Sequence, residues 1–153
     1  MKKTVITAIF AVLGAAAAIA DTHEDREAVM KANGGALRAL GEAGKAATFD
    51  PAAVKAPAQT LIDNAAKIPG LFAPGTENVD AAALPAIWTD QAGFKASAAK
   101  LGTDAKALQA ATDGATFAAA LKTVQGDCGA CHTAYRAKPA PKPMAMPMPA
   151  PAQ

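Results

Sequence analysis

Residues 117–138 read FAAALKTVQGDCGACHTAYRAK. Phe117, Leu121, Val124, Cys128, Cys131 and Tyr135 recur at alternating steps of four and three, which is the apolar stripe of an amphipathic helix. Both cysteines of the chain lie on that inward stripe, and His132 directly follows the second. Three readings compete for the spacing Cys128-Gly-Ala-Cys131-His132: a disulfide, a redox dithiol or metal site, and the attachment point of a haem.

A disulfide between residues this close on one helix closes a very small loop and staples nothing. A thioredoxin-type dithiol belongs at the start of a helix that follows a strand, and no strand pattern is visible. Structural zinc needs two further ligands, and the other histidine of the chain is His23. C-x-x-C-H is the attachment signature of c-type haem. Thiols three residues apart share one helical face, where they add to the two porphyrin vinyl groups. His132, four residues after Cys128, projects its imidazole from that face toward the iron. The expected cofactor is one haem c, covalent through Cys128 and Cys131.

Three further stripes precede this helix. The first runs from about Thr22 to Leu40, with Arg26, Met30, Asn33, Leu37 and Leu40 on one face and Gly41 and Gly44 at its end. The second begins after Phe49, with Asp50 as N-cap and Pro51 at the first helical position. Val54, Ala58, Leu61, Ala65 and Ile68 form its stripe, and Pro69-Gly70 is expected to stop it. Pro57, inside it, is expected either to kink or to delay the helix. The third starts near Asp80 or at Pro85. It carries Ile87, Gln91, Phe94, Ala98, Leu101, Ala105, Leu108 and Thr112, and Asp113-Gly114 breaks it. A period near 3.5 residues with mostly short connections predicts an all-α fold, an up-down-up-down antiparallel four-helix bundle with covalently attached haem c. The chain is 52% hydrophobic but only 5% aromatic, and much of the remainder is alanine. Such a core is thin, and a large buried cofactor makes up missing apolar area.

The ends differ from the middle. Lys2-Lys3, the apolar run from Val5 to Ala18 and the A-x-A site Ala18-Ile19-Ala20 form a secretory signal peptide over residues 1–20, cleaved after Ala20. It is too short for a membrane span, so an exported, periplasmic protein is expected, with its four-helix domain over residues 21–138. Residues 139–153, PAPKPMAMPMPAPAQ, are expected to form a disordered, extended tail. Met144, Met146 and Met148 there suit a soft metal such as Cu(I), and a plain mobile tail is the alternative. Without Lys2 and Lys3 the 15 Lys and Arg residues fall to parity with the 13 Asp and Glu, and two haem propionates make the mature protein mildly anionic. No basic patch points to nucleic acid. No nucleophile–base pair, carboxylate dyad or phosphate loop points to an enzyme.

Five stretches together carry a family resemblance: REAVMKANGGAL, FDPAAV, PGLFAPGT, ALPAIWTD with Phe94 behind it, and CGACHTAYR. The chain resembles the class II c-type cytochromes, the cytochrome c′ family, over about Arg26 to Arg136. The resemblance implies thioethers at Cys128 and Cys131, His132 as proximal ligand, and Arg136 near the exposed edge of its ring. It also implies Trp88 near the haem edge and Arg26 near the propionates. Ordinary core packing is the alternative for Trp88 and Phe94, and a solvated side chain is the alternative for Arg26.

In most of that family an apolar residue of the first helix blocks the distal face, leaving five-coordinate, high-spin iron that binds NO or CO. In a smaller low-spin branch a methionine coordinates instead. The register of REAVM places Met30 at that position. Met30 is also the methionine left once Met1 and the tail are set aside, and it lies on the inward stripe. A flexible core gap-filler is its alternative role. His23, two turns earlier on the same face, is a poorer candidate at the frayed start of the chain. The expected function is outer-sphere electron transfer through a six-coordinate His/Met haem. The alternatives are a gas-binding high-spin site and a metal carrier using the tail. The expected partners are periplasmic redox proteins, and a homodimer is left open.

Overall fold

The computed structural model describes residues 10–138, with side chains from Thr22 onward. The expected tail and the first nine residues of the signal peptide lie outside the described residues. Five helices follow in order: α1 Phe10–Ala43, α2 Pro51–Leu71, α3 Ala86–Thr89, α4 Gln91–Gln109 and α5 Gly114–Tyr135. Four of them are long and form the bundle, and no strand occurs among the described residues. α3 is a single turn on the way into α4.

Local chemistry sets the boundaries. Asp50 caps α2 by accepting from the Ala52 backbone N–H at 2.8 Å, and Pro51 opens the helix with its fixed φ. Pro57 does not delay α2, which starts at Pro51 and continues through Pro57 and Pro69 to Leu71. The third stripe is not one helix. Asp90 leaves helical geometry at φ −123° and ψ 59°, and its carboxylate accepts from the Gly93 N–H at 3.0 Å to start α4 afresh. Residues 80–85 form a turn rather than a first helical turn, and Thr112 lies beyond the end of α4. α1 begins at Phe10 rather than Thr22, so its backbone passes the expected cleavage site without a break.

The stripes bury as their periods require. Leu40, Val54, Ala58, Leu61, Ala105, Leu108 and Val124 are fully enclosed, and with Phe117 they form the main core. A second cluster of Ile68, Phe72, Ile87, Phe94, Ala98 and Tyr135 fills the other end. α2 packs against both α1 and α4, and α4 packs against α5. α1 and α5 scarcely touch. That open seam is where the functional site lies.

Candidate functional site

A cavity of about 420 Å³ occupies the seam. α5 contributes Asp127, Cys128, Cys131, His132 and Tyr135 to its wall, and Arg136 follows at its C-cap. α1 faces them with His23, Arg26, Glu27, Met30, Asn33 and Leu37. Ile68, Phe72, Ile87, Phe94 and Leu101 make an apolar floor. The volume lies within the range of pockets that enclose small cofactors.

The motif lies on the last turns of α5, whose end is tied to the 80–90 segment. The Leu84 N–H donates to the Tyr135 carbonyl at 3.0 Å, and the Ala137 N–H donates to the Ala82 carbonyl at 2.8 Å. The Tyr135 hydroxyl donates to Asp90 Oδ2 at 2.9 Å. Three backbone or side-chain bonds thus fix the turn that carries His132. Burial pushes both cysteine thiols upward, with added push from Asp127 on Cys128 and from Cys128 on Cys131. A redox dithiol needs the opposite, a stabilised thiolate, so this environment disfavours that reading. Partial desolvation of the ring, then the charge of Arg136, lowers the His132 pKa. The imidazole is therefore neutral at neutral pH, the form that binds a metal.

Arg26 is not a solvated arginine. It is 2% exposed, and its Nε donates to the Leu71 carbonyl at 2.8 Å. Its Nη2 donates to Thr76 Oγ1 at 2.6 Å, and its guanidinium lies 4.1 Å from the centroid of Phe72. Burial lowers its pKa, and Asp80 and Glu77 oppose that effect. Its Nη1, the Nδ1 of His23 and the Oδ2 of Asp127 are buried with no partner. All three residues line the cavity. An apolar floor, two thiols with an adjacent imidazole, and an unpaired buried guanidinium nitrogen fit a porphyrin with anionic side chains. A ligand that satisfies such groups removes the cost of leaving them buried.

The structure brings Cys128, Cys131, His132, Met30, Arg26, Phe94 and Arg136 to the lining of one cavity. Trp88 is not on it. Its ring stands behind Phe72 at 6.2 Å between centroids, and its Nε1 donates to the Ala73 carbonyl at 3.2 Å. The core-packing alternative therefore describes its surroundings. Asp127 and Asn64 were not singled out from the sequence. Asp127 directly precedes Cys128, a position that offered a signal. Asn64 sits among the apolar residues of α2 and offered none.

A covalent haem pocket in the open seam of an antiparallel four-helix bundle defines a class of protein, a c-type cytochrome built on helices alone. The sequence profile described as Cytochrome C′ matches residues 21–136. The chain is 48% identical over 144 residues to the cytochrome c-556 of Agrobacterium fabrum, which covers 90% of this chain and 98% of that protein. It is 38% identical over 132 residues to a cytochrome c′ of Rhodopseudomonas palustris, covering 83% of this chain and 90% of that one. The solved structure of cytochrome c′ from Rhodopseudomonas palustris superposes with a TM-score of 0.70 at 36% identity, covering 78% of this chain and 98% of that chain. This chain belongs to the cytochrome c′ family of electron-transfer haem proteins, and its cofactor is covalent haem c.

Proposed function

We propose that this protein is a periplasmic electron carrier whose haem iron is held six-coordinate between His132 and Met30. The observation that carries this reading is the placement of Met30. The residue is 36% exposed, and the space it borders is the cavity whose opposite wall holds His132. The similarity at 48% identity to a protein named cytochrome c-556 supports the same reading. A thioether and an imidazole are both recognised axial ligands of haem iron, and together they favour the ferrous state.

The bound haem supplies a reversible one-electron couple. The chain's residues do the rest. Cys128 and Cys131 would anchor it, His132 is held by the clamped end of α5, and Met30, facing His132 across the cavity, would be the second ligand and keep exogenous ligands out. Arg26 offers its unpaired Nη1 to negative charge at the α1 side. Phe72 and Phe94, whose centroids lie 5.2 Å apart, keep water from the floor. A haem with protein ligands on both sides would undergo little rearrangement on changing oxidation state, which suits transfer to redox partner proteins of the same compartment. Export would remove residues 1–20 after Ala20, and the mass of the mature holoprotein tests that boundary.

Met30→Leu is the decisive variant. The wild-type ferric protein is expected to show the weak sulfur-to-iron charge-transfer band of a methionine-ligated haem. The variant is expected to lose it, become high-spin and bind CO after reduction. An unchanged low-spin spectrum would remove Met30 as ligand. A wild type that is itself high-spin and binds CO readily would favour the five-coordinate, NO- or CO-binding reading that the similarity to a cytochrome c′ keeps in view.

A further inference from the structure

Asn33 lies on α1 one turn after Met30, on the same face, and is 8% exposed on the cavity wall. Its Oδ1 accepts from Asn64 Nδ2 of α2 at 2.8 Å. The sense of that bond is set by a third group. The same Asn64 Nδ2 also reaches the Val29 carbonyl oxygen at 3.5 Å, and a carbonyl can only accept. Asn64 thus turns its amino group toward α1, and Asn33 must answer with its oxygen. Asn33 Nδ2, with two N–H donors, makes no such bond and is not among the buried atoms without a partner, so it is open to the cavity that Asn33 lines. That donor faces the cavity, where a bound group can accept from it in place of water.

We propose that Asn33 is a positioning residue for Met30, its Nδ2 donating a hydrogen bond to the thioether sulfur when that sulfur is bound to iron. The proposal rests on Met30 being the axial ligand. A thioether sulfur has two lone pairs. With one given to the metal, the other remains as a weak acceptor, one helical turn from Asn33. The bond does two things. It restrains a side chain with three rotatable bonds. It also draws electron density from the sulfur, so the sulfur stabilises ferric iron less and the ferrous state is favoured. Asn64 is the anchor that keeps Asn33 in this orientation, through a contact between α1 and α2.

The test uses full-length holoprotein. In Asn33→Leu the charge-transfer band is expected to persist at a shifted energy. The midpoint potential is expected to fall by up to about tenfold in the one-electron equilibrium, or about 59 mV. Asn64→Leu keeps the donor but frees it, and is expected to shift the potential less. A lowered melting temperature with band energy and potential both unchanged would make Asn33 a packing residue only and overturn the proposal. A wild type without the band would instead overturn the Met30 reading, and this inference with it, by a different observation. Should Asn33→Leu fail to fold, proton NMR of the ferrous wild type decides. One slowly exchanging Asn33 side-chain proton close to the Met30 methyl group supports the bond, and rapid exchange of both protons sinks it.

Discussion

Gly93 occupies a place in α4 where a methyl group has no room. A Cβ built there lies 2.6 Å from the Tyr135 hydroxyl oxygen and closer still to the Asp90 carboxylate. Helix propensity alone predicts that Gly→Ala at an interior helical position stabilises by about 1 kcal/mol. The local geometry predicts the reverse sign. Gly93→Ala is expected to displace the Tyr135–Asp90 hydrogen bond and destabilise the protein by about 1–3 kcal/mol, as overpacking does. Urea unfolding of the holoprotein measures it, and a gain in stability would show that Tyr135 moves aside freely. The stretch TDQAGF shows only half of this constraint: Asp90 is in it, but the Tyr135 hydroxyl that holds the Asp90 carboxylate against Gly93 comes from 42 positions away in sequence.

At the scale of the element, α5 was the most legible part of the chain. Its six stripe residues are all buried or partly buried, and Asp113, read from the sequence only as the break after the third stripe, caps its start. That carboxylate accepts from the Thr116 N–H at 2.9 Å and from the Thr116 hydroxyl at 2.7 Å. These bonds, the backbone one first, hold the Asp113 pKa below the usual carboxylate value. A depressed carboxylate contributes stability that is fully present above its unfolded value, about pH 4, and is lost as pH falls through the lower folded value. Acid melting curves of the wild type should therefore drop below about pH 4. Asp113→Asn, which caps without titrating, should drop less over the same range, and identical curves would remove Asp113 from the acid response. α4 was less legible. Its period continues through Ile87 and Gln91, so the break at Asp90, a backbone turn that leaves the stripe in phase, is invisible to periodicity.

The whole molecule is a ring of four helices with one seam left open. α1 and α5 have little direct packing, and the groups that border the gap include three buried polar atoms without partners. The bundle is therefore complete on three sides and depends on its cofactor on the fourth. Replacing both Cys128 and Cys131 by alanine, which prevents attachment, is expected to leave the α2–α4 core protected from hydrogen exchange. Amides of α1 around residues 22–37 and of the last turns of α5 should lose protection. Equal loss across all four long helices would show that the core cannot stand without the haem. A core mutation should behave differently. Leu61→Ala in α2, where the side chain is fully enclosed, is expected to cost about 2–5 kcal/mol and to lower protection throughout.

The sequence by itself determined the number of long helices, the face each one buries, and the attachment of a haem near the end of the last. These are properties of local spacing, since residues three and four apart share a helical face whatever the rest of the chain does. Tertiary structure alone decided depth and partnership. It buried Arg26 against Leu71 and Thr76, put Trp88 behind Phe72 rather than on the cavity wall, and joined Asn33 to Asn64 across two helices. Periodicity tells which way a side chain faces, but how far it is from water depends on what other elements bring to it. For Met30 the two levels meet. Spacing turned it inward, and only the scant contact of α1 with α5 opened the cavity that it shares with His132.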